Sequence, residues 1–183
     1  MMEEMSVLAP RSELERRILG DARWQTGAAW GSPRSGHPEG AVVRHIIQVL
    51  RNIDRIEHSG PNRDQLRLIA LVHDTLKYQV DRSRPRIGTN DHARLARAFA
   101  RQYITDAQVL LVVETHDDAY RAWLADRRGD EAAARARAEA LIQRLTNSGA
   151  LALYLAFYRA DNEVPGKTSE HREWLAGLCP GCS

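Results

Sequence analysis

The sequence predicts an all-α protein of seven to nine helices, and two features of its 183 residues indicate this class. Alanine, leucine and arginine dominate, and apolar residues recur with the spacing of amphipathic helices almost throughout. No stretch of any length alternates between apolar and polar residues, as a half-buried strand does. Because there is neither an internal repeat nor a domain linker, we expect one domain over residues 1–183.

Capping and breaking signals divide the chain into nine predicted helices. Ser12 and Glu15 form the capping-box pattern S-x-x-E, which opens the first helix. Asn90, Thr105 and Thr168 are the predicted N-caps of three later helices. The nine helices are expected at about residues 12–22, 38–58, 64–76, 91–103, 105–116, 118–128, 130–147, 150–161 and 168–177.

Two segments between these helices are predicted to be loops. Residues 24–37 are rich in turn-forming residues, and we expect their two tryptophans, Trp24 and Trp30, to cover the end of the helical bundle. Residues 77–90, KYQVDRSRPRIGTN, form a basic loop. Its positively charged side chains are Lys77, Arg82, Arg84 and Arg86.

Composition and charge exclude several classes of protein. The 26 basic and 24 acidic residues give a net charge of +2, which does not indicate a dedicated nucleic-acid binder. We find no signal peptide, and no apolar run approaches the roughly 18 residues of a membrane span. We therefore expect a cytoplasmic protein without membrane contact, and a homo-oligomer stays open. Cys179 and Cys182, in a C-P-G-C tail, are expected to be free thiols.

Six ionisable side chains lie on or beside apolar helix faces. In the stretch LRLIALVHDTLK, His73 and Asp74 end an apolar run, although burying a charge costs several kcal/mol unless it is paired or binds a metal. The same anomaly recurs on four other predicted helices, with apolar neighbours three or four positions away. The residues concerned there are His45, His92, His116 and Asp161.

A shared core would bring these six side chains together, since buried polar groups must find partners. Four imidazoles and two carboxylates are suitable ligands for divalent iron, manganese or zinc. Taken singly, each histidine could instead be a hydrogen-bonded core residue, and Asp161 a helix cap or an ion-pair partner. The remaining histidines, His37, His58 and His171, are expected at the surface.

The ordered set His45 … His73-Asp74 … His92 … His116 … Asp161 resembles the HD-domain superfamily of metal-dependent phosphohydrolases, whose helical core carries the motif H…HD…D. The successive spacings are 28, 18, 24 and 45 residues. The segments HPEGAVVRH, LIALVHDTLK and YRADN are also similar to those of the family. The resemblance covers about residues 37–165, flanked by an N-terminal helix and a short C-terminal helix with a tail.

The resemblance implies a binuclear metal centre. The ligands of the first ion would be His45, His73, Asp74 and Asp161. His92 and His116 match the two extra histidines of binuclear members, with Asp74 as the bridging and catalytic carboxylate. Lys77 matches a lysine that faces the substrate phosphate, with catalytic and substrate-binding roles. The basic loop would add three further substrate-binding side chains, Arg82, Arg84 and Arg86.

The implied activity is hydrolysis of a phosphate ester in a nucleotide or another small phosphorylated metabolite. Two divalent ions would lower the pKa of a bridging water and bind the phosphoryl oxygens. Iron or manganese is expected first, with zinc, nickel, cobalt or magnesium as alternatives. The same ligands are similar to those of the mixed-valent di-iron oxygenases of the superfamily, which cleave C–C or C–P bonds. A non-catalytic nucleotide-sensing module is the third hypothesis.

The sequence also departs from several branches of the superfamily. It has no Gly-Tyr-Pro signature, and Thr75-Leu76 follows the doublet where alarmone hydrolases have an acidic pair. The extra histidines distinguish it from the mononuclear nucleotidases. The identity of the substrate is therefore not implied by the resemblance.

Overall fold

A computed structural model of the chain describes residues 6–33, 40–56, 61–164 and 167–179, and within these ranges the regular structure is helical, without a strand. The predicted all-α class is confirmed. The helices with bounds in these ranges, numbered in chain order, are α1 Glu13–Leu19, α2 Ala22–Ala29, α3 Val42–Ile56, α4 Pro61–Val72, α5 His92–Ala100, α6 Ala107–Thr115, α7 Asp118–Asp126, α8 Glu131–Asn147, α9 Leu151–Asn162 and α10 Glu170–Leu178.

Helix α4 lies at the centre of the bundle, where it packs against α3, α5, α6 and α9. Its apolar side chains belong to one buried cluster that extends from Ile18 in α1 to Leu175 in α10. Four helices therefore surround the helix that leads into the His73-Asp74 doublet. No helix in the described ranges combines the length and apolar character that crossing a membrane requires.

Part of the loop predicted over residues 24–37 is wrong, because residues 24–29 belong to helix α2; residues 30–33 are not helical, and residues 34–37 lie outside the described residues. The Asp21 carboxylate caps the helix by accepting the backbone N–H of Arg23 at 2.7 Å. Trp24 is buried, and its indole N–H donates to the carbonyl oxygen of Leu71 at 2.7 Å. A segment with turn-like composition is thus helical because its tryptophan packs on the end of α4.

Three predicted N-caps are each wrong by one residue. The observed caps, in place of Asn90, Thr105 and Thr168, are Asp91, Asp106 and Ser169. At the first two, a carboxylate accepts backbone N–H groups of the helix, which the helix dipole also favours. The amide of Asn90 instead holds the basic loop, because it bonds to both the N–H and the carbonyl oxygen of Asp81 at 2.9 Å.

Two expectations about the C-terminal part of the chain are also wrong. His171 is buried, with its Nδ1 2.7 Å from the Tyr158 hydroxyl, because α10, the helix that carries it, packs against α7 and α8. Cys179 is disulfide-bonded, not a free thiol. His37, His58 and Cys182 lie outside the described residues.

A buried ion pair joins the N-terminal part of the chain to α4. The side chain of Arg67 is 0% exposed, and its guanidinium donates to both carboxylate oxygens of Glu15, at 2.9 and 3.0 Å. The backbone N–H of Glu15 donates to the Ser12 hydroxyl, which is one half of the predicted capping box, whereas its carboxylate accepts the backbone N–H of Arg11 at 2.8 Å instead of that of Ser12. Removing one partner of such a pair leaves a buried charge without compensation.

We expect Glu15→Gln to lower the free energy of unfolding by about 3–5 kcal/mol, because Arg67 then lies buried without its counterion. Urea denaturation measures this change. Glu13→Gln is the matched control on the same helix, since Glu13 pairs with Arg16 at the exposed surface and should change stability little. Equal stability of the two variants would contradict this role for the pair.

Candidate metal centre

The His73-Asp74 doublet lies in a turn directly after α4, not inside the helix predicted over residues 64–76. The turn continues the helix locally, because the backbone N–H of His73 donates to Ile69 and the Thr75 hydroxyl donates to Val72. The Nδ1–H of His73 donates to the carbonyl oxygen of Ala70 at 3.0 Å. That bond fixes the imidazole so that its Nε2 lone pair points away from the helix, as metal-binding histidines require.

Helix α2 supports this turn from outside. Gly27 lies so close to it that a Cβ atom at this position would be 1.6 Å from the carbonyl oxygen of Thr75. Only a residue without a side chain fits there. Together with the hydrogen bond from Trp24 to Leu71, this contact fixes the backbone on both sides of the doublet.

The first group of candidate ligands combines two imidazoles with two carboxylates. The Nε2 atoms of His45 and His73 are 3.4 Å apart. Oδ1 of Asp161 lies 2.8 Å from the His45 atom and 3.6 Å from the His73 atom. Oδ2 of Asp74 lies 3.8 and 3.6 Å from the same two nitrogens. All four side chains are buried.

The second group is on the other side of the same carboxylate. The Nε2 atoms of His92 and His116 are 3.2 Å apart, and each lies 3.6 Å from Oδ1 of Asp74. The Nδ1–H of His116 donates to the carbonyl oxygen of Val113 at 2.9 Å, which directs its Nε2 toward Asp74. His92 is the first residue of α5, where the cap at Asp91 fixes the start of the helix.

The separations fit two metal ions that share Asp74. Ligand atoms at 2.0–2.2 Å from one ion lie about 2.8–3.1 Å apart at octahedral edges and about 3.3–3.6 Å apart at tetrahedral ones. Oδ1 of Asp74 is buried and has no hydrogen-bond partner among the described residues, which is costly for a carboxylate oxygen. Asp74 belongs to two sets of three possible ligands, one with His45 and His73 and the other with His92 and His116. Within each set, one donor atom from each residue lies within 4.8 Å of the other two.

Asp74 and Lys77 form a charged pair inside the site. Burial raises the pKa of Asp74, but Lys77 and His73 more than offset it and hold this pKa well below its ordinary value. Burial lowers the pKa of Lys77, whereas Asp74 and Asp117 raise it above its usual range. The Lys77 ammonium donates to Oδ2 of Asp74 at 2.5 Å. Asp74 is therefore ionised at neutral pH, the form that binds a cation.

Asp161 has a similar arrangement with Lys167. Burial raises the pKa of Asp161, but Lys167 and the hydrogen bond to His45 hold it well below the ordinary carboxyl value. The ammonium of Lys167 donates to the backbone carbonyl of Asp161 at 3.0 Å and lies 3.7 Å from its Oδ2. Oδ1 is left facing the two histidines of the first group.

His92 and His116 differ in protonation. Burial, followed by repulsion from His116, lowers the pKa of His92 to about 4. Burial also disfavours charge on His116, but the carboxylates of Asp117 and Asp74 outweigh it and raise its pKa to about 9. At neutral pH, His116 is therefore the cationic imidazolium, with a proton on each ring nitrogen, and His92 is the neutral imidazole.

Asp117 is a site residue that the sequence analysis missed. Its Oδ2 lies 3.3 Å from Nε2 of His92, and its Oδ1 lies 3.7 Å from Nε2 of His116. Its side chain is 33% exposed, compared with 6% for Asp74, so it lies at the open side of the group. One signal was available, because His116-Asp117 is a second His-Asp doublet in the sequence.

The arginines of the basic loop lie apart from the two groups. Arg82, Arg84 and Arg86 are exposed, and the guanidinium carbon of Arg82 lies 5.3 Å from the centre of the Trp30 ring. In the described part of the chain, no hydrogen bond or ion pair joins these three side chains to the six candidate ligands. Their role in substrate binding stays a prediction.

Comparison with known families agrees with this geometry. The family model described as HD domain matches residues 42–147, more than half of the chain. The matched region contains every candidate ligand except Asp161. Searches of curated proteins and of solved structures returned no significant match.

We expect Gly27→Ala to weaken metal binding, because the new methyl group must displace the backbone of Thr75 and with it Asp74. Overpacking of this kind costs about 1–3 kcal/mol of stability. Calorimetric titration with Mn²⁺ and thermal unfolding measure both effects. Gly177→Ala is the control, because no atom lies within 4 Å of a Cβ atom there. Wild-type Mn²⁺ affinity in Gly27→Ala would contradict the proposed support of the turn.

We expect binding of a second divalent ion to release a proton between pH 7 and pH 9. His116, with its pKa of about 9, must lose its proton to become a ligand, so apparent affinity should rise about tenfold per pH unit in this window. The stability of the metal-free fold depends on pH in the opposite direction from the metal affinity. The stabilisation from protonated His116 is complete below its unfolded pKa of 6.5 and is lost as the pH rises through about 9.

Titration calorimetry with Mn²⁺ in buffers of different ionisation enthalpy counts the released protons. About one proton should accompany the second ion at pH 7.5 in the wild-type protein. In His116→Gln, that proton and the second ion should both be absent. Binding of two ions without proton release would show that His116 is not a ligand.

Proposed function

Because the chain belongs to the HD domain family, we propose that it is a metal-dependent phosphohydrolase acting on a nucleotide or another small phosphorylated metabolite. One observation carries the proposal. The two oxygens of Asp74 face two different pairs of imidazoles, which is the arrangement a carboxylate needs to bridge two metal ions. We also propose that the centre takes iron or manganese and that the whole chain forms one domain.

Six residues would hold the two ions. The first ion would be held by His45, His73, Asp74 and Asp161, and the second by His92, His116 and Asp74. When bound, divalent ions of this kind lower the pKa of a water molecule and stabilise negative charge on phosphoryl oxygens. The burial of these ligands supports this role, since a low local dielectric strengthens every charge interaction within the site.

Lys77 is the proposed phosphate-binding residue of the chain. Its side chain is 25% exposed, so it reaches from the buried Asp74 toward solvent. Once metal charge compensates Asp74, the ammonium is available to a phosphoryl oxygen and can offset charge that develops during the reaction. Arg82, Arg84 and Arg86 would act at longer range, as exposed positive charges that attract an anionic substrate.

A mixed-valent di-iron oxygenase is the alternative function. The four imidazoles and the bridging carboxylate favour it as well, because they suit redox-active iron. The two reactions differ in what they consume. The oxygenase needs O₂ and iron, whereas the hydrolase should work with manganese in the absence of oxygen. A non-catalytic nucleotide sensor would turn over neither kind of substrate.

The test is phosphate release by Mn²⁺-loaded protein under anaerobic conditions, with nucleoside mono-, di- and triphosphates and a chromogenic phosphate ester as substrates. We expect hydrolysis of at least one of them. Asp74→Asn should lose both metal ions and all activity, because it removes the charge from the bridge. Asp64→Asn, an exposed residue on the helix that precedes the doublet, should behave as wild type.

Lys77→Met should keep both ions and lower kcat/KM for the hydrolysed ester by about 10²-fold, since it removes one charge-assisted hydrogen bond. Substrate-dependent O₂ uptake by iron-loaded protein, with no anaerobic hydrolysis, would favour the oxygenase. Binding of a nucleotide without turnover under either condition would favour the sensor. Hydrolysis that is unchanged in Asp74→Asn would contradict the proposed centre.

A further inference from the structure

We propose that Asp117 is an additional protein ligand of the second metal position, beside His92, His116 and Asp74. The proposal rests on the binuclear centre proposed above and adds a residue that the HD…H…H…D pattern does not include. Two features of the structure lead to it: the distances from its carboxylate to the imidazoles, and the absence of a helix cap or other hydrogen bond on its oxygens.

Asp117 does not cap the helix that it precedes. It occupies the N-cap position of α7, but its backbone is in the αR region, with φ −90° and ψ −9°, and its carboxylate accepts no hydrogen bond from that helix. A side chain caps a helix from an extended backbone, as at Asp21, Asp91 and Asp106, whose carboxylates all cap the helices that they precede. The carboxylate of Asp117 is therefore free for another interaction.

The carboxylate of Asp117 faces the second pair of imidazoles. Oδ2 of Asp117 lies 3.3 Å from Nε2 of His92, and Oδ1 lies 3.7 Å from Nε2 of His116. These separations are close to the 3.6 Å between each of the two histidines and Oδ1 of Asp74. They involve different oxygens of Asp117, so the carboxylate faces the pair with one oxygen toward each histidine.

The oxygens of Asp117 remain available to a cation. Arg121 is the nearest cationic side chain outside the histidine pair, but its Nη2 lies 3.8 Å from Oδ2, beyond hydrogen-bond distance. Its Nη1 instead binds Asp91 at 2.5 Å, directly before His92. Arg121 thus links the chain segments that carry His92 and Asp117 without occupying the Asp117 carboxylate. No hydrogen bond to that carboxylate occurs within the described ranges.

With Asp117, the two metal positions become equivalent in composition. Each then has two imidazoles and two carboxylates, with Asp74 shared between them. Three carboxylates would oppose the four positive charges of two divalent ions, which leaves a net positive centre for an anionic substrate. Asp117 is also the more exposed carboxylate of the second position, so we expect the second ion to bind more weakly than the first.

The experiment is titration of metal-free protein with Mn²⁺, by calorimetry and by electron paramagnetic resonance of the bound ions. The variants are Asp117→Asn, which removes the charge at nearly constant size, and Asp118→Asn, which removes a neighbouring charge. Wild-type protein should bind two ions per chain. Asp117→Asn should bind the first ion with unchanged affinity, and the Kd of the second should rise at least tenfold. Asp118→Asn should match the wild type.

Asp117→Glu keeps a carboxylate and should retain the second ion, which tests the proposal if Asp117→Asn does not fold. Wild-type affinity for both ions in Asp117→Asn would overturn the assignment, and so would an equal loss in Asp118→Asn, which would indicate a long-range charge effect. Two ions in the wild type, but no ester hydrolysis, would refute the proposed phosphohydrolase and leave the role of Asp117 intact. Only one ion in the wild type would overturn both.

Discussion

The buried carboxylate of Asp74 is the constraint on which the rest of this structure depends. A charged group in a core must be compensated, and Asp74 is surrounded by four imidazoles and one ammonium group within 3.8 Å. Those partners come from the doublet turn and the residues just after it, from helices α3 and α5, and from the end of α6, so the carboxylate requires several segments of the chain to converge on one point. A site of this kind forms only when the bundle is complete.

The packing around α4 meets this requirement. The helices that supply His45, His92 and Asp161 pack directly on α4, and so does α6, which His116 follows. Helix α2 then fixes the turn after α4 through the close approach of Gly27 to Thr75. The rigid core orders the backbone, and hydrogen bonds from imidazole Nδ1 atoms to backbone carbonyls orient the donor atoms. The positions of His73 and His116 are therefore determined by packing and by a second hydrogen bond.

The fold class and the six candidate ligands could be predicted because both depend on local patterns. Helical periodicity is a property of neighbouring residues, and each candidate ligand interrupts an apolar stripe of its own helix. Helix α2 could not be predicted in this way, since its turn-like residues become helical through burial of Trp24 against α4. Asp117 was missed because it precedes a helix and interrupts no stripe. Its place in the site depends on His92, which only a tertiary contact brings to it.

Asp74 as a shared ligand of two ions is the central claim of this account. The most direct test is a crystal structure of the Mn²⁺-loaded protein with anomalous scattering measured at the manganese edge. We expect two anomalous peaks, one beside Oδ2 of Asp74 near His45 and His73, the other beside Oδ1 near His92 and His116. A single peak, or two peaks of which one does not contact Asp74, would contradict the claim.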